Sequence, residues 1–428
     1  MAARAIAPLP LSRRGYVGTG VNSRNWNIAM VDTDPRTGEH TQFCGFVGDI
    51  NAQRRMVIAK RTISDGSDGA WQRFATPFNN ETFEDVHNVV SLMCRQNGRL
   101  CVSFGMHDVP LKMADLRTVG SIALVRKYVN PVVSGSTIET SNTYPAFGRF
   151  SNGDEIFTFR EGGSGDGNHG VYFRANGSDT WQSRVAVLFS GESTRNFYPI
   201  GSPHVDANDV VHIAGCWRES SSNWTTNHDI LYIYSEDKGQ NWKWADGTAV
   251  TVPITVSNSN AKRAWVIPSN SGMTNNFALA ADGNSIPCII TVYGAAPAQL
   301  YAHYWSGALG GSGSWARTTV GTETGMFSWV DDTGPSQAPW VGVPSLVWRD
   351  GVWRAYFWSN ARGSALYCGR STDLATWSVS TADATRDWRG CYGNYDRTAW
   401  RKYGRLYMYH QDFQASSGIA TVPRIALP

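Results

Sequence analysis

Long apolar runs, blocks of like charge and paired-cysteine spacings are all missing from these 428 residues. No stretch approaches the roughly 18 apolar residues of a membrane span, so no membrane partner is expected. Ile6-Ala-Pro-Leu-Pro-Leu11 is too interrupted by proline to be the hydrophobic segment of a secretory leader, so any leader is expected to have been removed already. A formal charge of +3 and the lack of any basic run of five argue against nucleic acid as a partner. The seven cysteines show no CxxC or Cys/His spacing, which speaks against a zinc site, and an odd number cannot all pair within one chain. Lysine is scarce too. Seven of the 38 basic residues are lysines and 31 are arginines, whose planar guanidinium suits carboxylates.

What is present points to short strands and tight turns. Gly 43, Trp 18, Tyr 17 and Phe 17, set against only 17% charged residues, predict an all-β protein. A polar or glycine-rich turn followed by tryptophan recurs at Trp71, Trp181, Trp242, Trp315 and Trp377, with gaps of 110, 61, 73 and 62 residues. A degenerate unit from Arg117 to Val129 lies in the middle of the long gap, and strands near the termini supply a seventh unit. Dividing 428 residues by seven leaves about 61 per unit, enough for a four-stranded blade. The expectation is a seven-bladed β-propeller of four-stranded antiparallel blades, one domain over 1–428, with the terminal strands closing one blade together. Ser235-Glu-Asp237-Lys-Gly239-Gln-Asn-Trp242 resembles the Asp-box of bacterial-neuraminidase-repeat propellers, a turn whose Asp bonds its own backbone and whose role is structural. Sequons at Asn80, Asn176 and Asn223 are compatible with a secreted, extracellular protein, expected to be a monomer.

In an antiparallel hairpin, directly opposed residues have a constant sum. His87 and His107 centre on Asn97 in the turn Gln96-Asn97-Gly98, Tyr144 and Arg160 on Asn152, and Tyr198 and Arg218 on Asn208. Three successive hairpins therefore carry polar pairs at their open ends, which a propeller gathers on one face. The same register points Cys94 and Cys101 to opposite sides. Further along, Tyr395 is expected opposite His410 about a bend at Lys402-Tyr403, and 340–358 offers mainly tryptophan for a sugar-stacking rim or for the core.

None of those six positions is a carboxylate, so ordinary glycoside hydrolysis, which needs two, is disfavoured. No G-x-S-x-G elbow is present, and Gly162-Gly-Ser-Gly-Asp-Gly167 lacks the context of a phosphate loop. β-Elimination on a uronic acid fits better. The C5 proton becomes acidic only once the adjacent carboxylate is neutralised, a task for the fork of Arg160. His and Tyr side chains can take that proton and protonate the departing O4.

The stretch from Val86 to about Asp246, with "VHNVVSL", "GMHDVPL", "TYPAFGRF", "FTFREGGSGDG", "RNFYPI", "CWRES" and "TNHDILYIYSEDKGQNW", resembles the repeat-containing propeller lyases: ulvan lyases and the fungal enzymes that cleave rhamnose from glucuronate in gum arabic. The resemblance implies that a His or Tyr acts as base, a neighbouring one as acid, and an Arg as neutraliser. It places His87 and His107 as the histidine pair, Tyr144 as the tyrosine before proline, Arg160 as neutraliser and Tyr198 as the second tyrosine. Asn88, Arg218, Asn227 and His228 match sugar-holding positions. The Cys and His ligands of a structural zinc found in some bacterial members are not evident, which favours the exo-acting fungal type over the endo-acting ulvan lyases. No cofactor is expected for catalysis, and a structural calcium remains open. The implied partner is a glucuronate-containing polysaccharide. Two other readings stay open: a sialidase-like hydrolase, suggested by the Asp-box and the arginines, and a lectin-like propeller without turnover.

Overall fold

The computed structural model describes residues 5–7, 28–31, 40–50, 53–63, 68–79, 89–117, 122–128, 130–163, 165–219, 223–273, 277–294, 299–321, 344–358, 363–388, 394–411 and 420–427. Every residue of Val90–Cys94 and Leu100–Phe104 is buried, because alternation sends one set of side chains to each neighbouring sheet. Val90, Leu92 and Cys94 pack against Phe43 and Ile58 of the preceding sheet, while Met93 and Cys101 pack against Phe147 and Phe157 of the following one. Cys94 and Cys101 do face opposite ways, and the six described cysteines are buried.

Four sheets have the four-stranded antiparallel form of a propeller blade: those running from Ile28–Val31 to Gln72–Asn79, from Val90–Cys94 to Ala123–Lys127, from Ala278–Ala281 to Trp315–Thr319 and from Ser345–Arg349 to Ser378–Asp383. The expected seven separate four-stranded blades are not what the remaining strands form. Residues 142–235 make one seven-stranded sheet, in which two antiparallel groups meet at the single parallel pair Gly167↔Asn196. The Gly167 N–H donates to Arg195 O at 3.1 Å, and a Cβ at position 167 would lie 2.9 Å from Gly163 O, so glycine permits this close stitch. Near the termini, Ala5–Ala7, Ala420–Thr421 and His410–Gln411 form a three-stranded sheet, and Leu406–Tyr407 pairs with Arg424–Ile425. The first described strand thus joins the penultimate one, at Ala5↔Thr421.

The apolar core is divided among the gaps between sheets. Successive clusters link neighbouring sheets along the chain, and one in which Phe46 and Val57 pack with Tyr407, Tyr409 and Val422 brings the last strands back to the first sheet. At roughly 25 cal/mol per Å² of apolar surface buried, these gaps supply the main driving force for folding. The Asp-box turn plays the structural part expected of it. Asp237 Oδ1 accepts from the N–H groups of Gln240 and Asn241 at 3.0 and 2.8 Å, and Trp242 is buried below.

Tyr395 does not oppose His410. It bridges to Met408 instead, because the intervening chain forms a helix, Arg397–Tyr403, and not a simple bend. Asp396 caps its first turn by accepting from Ala399 N–H at 3.0 Å, and Gly404 ends it in the left-handed conformation. His410 Nε2 lies 2.8 Å from the Asp387 carbonyl oxygen.

Candidate functional site

The three hairpin registers differ in how far they run true. Between Val90–Cys94 and Leu100–Phe104 the pairing Val90↔Phe104 keeps the expected centre on Asn97. His87 and Asn88 lie outside the described residues. Phe147↔Phe157 likewise keeps the centre on Asn152, but a bulge at Tyr144-Pro145 shifts the open end by one residue, so Arg160 opposes Thr143 and not Tyr144. Proline has no N–H for the ladder, and Tyr144 takes a left-handed φ of 56°. In the next hairpin His204↔His212 fits the centre on Asn208, whereas beyond a second irregularity Tyr198 opposes Cys216 and Arg218 opposes Asn196. That shift is by two residues, which leaves Tyr198 and Arg218 on their shared face.

These side chains meet despite the slips. The Arg160 guanidinium carbon lies 5.1 Å from the Tyr144 ring centre and 6.0 Å from that of Tyr198, and the two rings are 5.9 Å apart. Arg218 stacks on Tyr198 at 4.1 Å and donates from Nη1 to the Tyr198 hydroxyl at 2.8 Å. Its Nε donates to Asn227 Oδ1 at 2.8 Å, and Asn227 Nδ2 donates to the Met273 carbonyl at 3.0 Å. Tyr144, Arg160, Tyr198, Arg218 and Asn227 therefore form one continuous, buried contact chain across the two halves of the seven-stranded sheet. Arg160 crosses above Gly167, where a Cβ would stand 3.1 Å from its Cδ, and its Nε donates to Gly162 O at 3.1 Å.

A carboxylate from outside the six hairpin positions joins the cluster. Arg160 is not free of carboxylates: Asp108 Oδ1 lies 2.8 Å from its Nη2, and Thr143 Oγ1 3.0 Å from the same nitrogen. His107 borders this pair, its Nε2 3.9 Å from Asp108 Oδ2. Asp108 escaped the hairpin reasoning because the strand ends at Phe104, so alternation no longer governs where residue 108 points, and Asp108 has a left-handed φ of 51°. Its position beside His107 was the available signal.

His228 stands apart from the contact chain. Trp217, not Arg218, is its partner across the strands, which turns it to the other face. There Nε2 lies 2.9 Å from Glu219 Oε1 and Nδ1 3.0 Å from Asp229 Oδ2, while Arg195 and Arg263 hold those two acids from outside. Burial lowers the His228 pKa, but the bonds to Asp229 and Glu219 outweigh it and hold the ring above the ordinary imidazole value. Both carboxyls are correspondingly held below the usual carboxylate range by His228 and by Arg195 or Arg263, against the opposing effect of burial. Glu219, next in sequence to Arg218, accepts from Arg195 Nε at 2.9 Å. Glu161 accepts from Asn168 Nδ2 at 3.1 Å. Among the described residues no group of three or more His, Cys, Asp or Glu is arranged to hold a metal ion.

The fold defines a β-propeller-like protein of antiparallel sheets with an arginine–tyrosine cluster at one end of its largest sheet. The chain belongs to the BNR repeat-containing family, which matches residues 41–322, about two thirds of its length. No curated protein matches the sequence significantly. Among solved structures, the chain is similar to the polysaccharide lyase Uly1, with a TM-score of 0.66 at 14% identity over 94% of this chain and 89% of that one. It is also similar to a PL25 ulvan lyase bound to a GlcA(1-4)Rha3S unit, with a TM-score of 0.53 at 13% identity over 85% and 95%. At these identities the likeness is one of fold.

Proposed function

We propose that the protein is a polysaccharide lyase that cleaves the bond at O4 of a glucuronate residue by β-elimination. The observation that carries this reading is the meeting of Arg160, Tyr144 and Tyr198 within 6.0 Å of one another, with His107 at the edge. In the proposed reaction Arg160 binds the uronate carboxylate and withdraws charge from it, making the C5 proton acidic. His107 or Tyr144 takes that proton, with His87 as the other candidate of the pair. As the C4–O4 bond breaks, the electron pair from C5 forms the C4=C5 double bond and a second of these groups protonates the leaving oxygen. Tyr198, Arg218, Asn227 and Asn88 hold the flanking sugars, and His228 with its acid partners shapes the border. The chemistry as written uses side chains alone.

The architecture we propose has seven blades. The parallel pair at Gly167↔Asn196 divides the seven-stranded sheet into two, and the strands near both termini make up the last blade. For the linkage we propose rhamnose–glucuronate of the gum arabic type, cleaved from the chain end by a secreted, monomeric enzyme. Internal cleavage of ulvan is the second reading, favoured by the likeness to the ulvan lyase that binds GlcA(1-4)Rha3S. Incubation with gum arabic and ulvan in parallel tests both. Growing ultraviolet absorbance from a conjugated unsaturated uronate is expected, on gum arabic for the first linkage and on ulvan for the second. Reducing ends without absorbance would indicate a hydrolase, and intact binding of uronate oligomers would indicate a lectin.

A further inference from the structure

Arg160, on the reading above, must receive a carboxylate from the substrate, yet a carboxylate of the protein already holds it. Asp108 Oδ1 lies 2.8 Å from Arg160 Nη2, and Arg160 is paired with no other acid among the described residues. Thr143 braces the contact: its hydroxyl accepts from the Asp108 backbone N–H at 3.1 Å and donates to Asp108 Oδ1 at 3.3 Å. The exposures of the partners are unequal. The Arg160 side chain is 1% exposed and that of Asp108 39%, so the acid stands on the solvent side of a buried guanidinium.

We propose that Asp108 is an internal stand-in for the substrate carboxylate, occupying Arg160 in the free protein and yielding when a uronate residue binds. The inference rests on the assignment of Arg160 as neutraliser. A buried guanidinium without a counter-charge is costly, so the empty site needs an anion. A half-exposed carboxylate held across a solvent boundary is only weakly bound, because water competes for it, and so it is readily displaced. Selectivity follows from the competition. A simple carboxylate such as acetate offers Arg160 nothing that Asp108 does not already give. A glucuronate residue adds contacts to Tyr144, Tyr198, Arg218 and Asn227 and so prevails.

The alternative is that Asp108 stays in place and orients Arg160 and His107 throughout the reaction. Asp108→Asn separates the two. Asn tolerates the left-handed φ of 51° and keeps an oxygen for Arg160 and Thr143, so the change removes little besides charge. Losing a competitor of this exposure should lower KM for a glucuronate polymer roughly three- to fivefold with kcat within about twofold. Acetate should leave the wild type unaffected and become a competitive inhibitor of the variant. Asp108→Gly also suits that backbone conformation and should behave alike, which guards against a folding defect in one variant. A raised KM, a kcat loss of about tenfold at constant KM in both variants, or continued indifference to acetate would overturn the proposal. Calorimetric titration with glucuronate oligomers reads the same contact without turnover: tighter binding by Asp108→Asn supports the stand-in, and equal or weaker binding refutes it. A wild type that forms no unsaturated product would instead count against the lyase reading.

Discussion

Tyr144 holds a left-handed φ of 56°, a conformation that a bulky side chain adopts at a cost of about 1–3 kcal/mol. The strain is sustained by the packing of the ring against Arg160 and Tyr198. Removing the neighbouring guanidinium is the sharper perturbation. Arg160→Ala should reduce kcat about 100- to 1000-fold, or about 2.7–4 kcal/mol, as when a charge-stabilising donor is deleted elsewhere, and steady-state absorbance assays will read it. A titration belongs to this scale too. Because the His228 pKa is raised, its imidazolium contributes stability in full below the ordinary value of 6.5, and that contribution is lost as pH rises through the raised value. An NMR titration should therefore find His228 with a midpoint above 6.5, and His228→Asn should remove this slope from the stability profile.

Strands and turns decide which side chains meet. Turn composition located the hairpin centres at Asn97, Asn152 and Asn208 correctly, since the pairs nearest each turn have the expected sums. What sequence could not supply was the bulges, which arise where Pro145 interrupts a ladder and within 200–204, and which displace the open ends where the candidate site lies. Arg160 and Tyr144 still met because the slipped register was made good by a long side chain. Asp108 escaped the register argument for a different reason, lying beyond the last ladder pair of its strand. The helix Arg397–Tyr403 was readable in retrospect from its capping Asp396 and terminal Gly404. Between the sheet of 90–127 and the strands that follow, a buried charge network does the joining. Arg95 bonds Glu155 at 2.9 Å and Asp115 at 2.7 Å, while Arg174 bonds both acids from the other side. Glu155→Ala would remove one of the two buried acids shared by these arginines and should cost about 3–5 kcal/mol, measured by chemical denaturation.

At the scale of the molecule, the return of the last strands to the first sheet holds the chain's ends together. Gln42 in the first sheet donates to Asp396 at 2.8 Å and accepts from Arg61 Nη2 at 2.7 Å, and Arg61 also donates to the Val422 carbonyl at 3.0 Å. Burial pushes the Asp396 carboxyl up to about 6 in spite of the bonds from Ala399 N–H and Gln42. Folding thus favours its protonated form, and its contribution, full below the unfolded value, declines as pH rises through about 6. Asp396→Ala takes away both the helix cap and the Gln42 partner and should lower stability by about 2 kcal/mol or more, seen as a lower denaturation midpoint. The central claim is that this assembly breaks a glycosidic bond by elimination, without consuming water. Mass spectrometry of the new non-reducing ends made from a glucuronate polymer tests it most directly. The account predicts fragments one water lighter than the hydrolysis products, carrying a C4=C5 double bond; fully hydrated ends would contradict it.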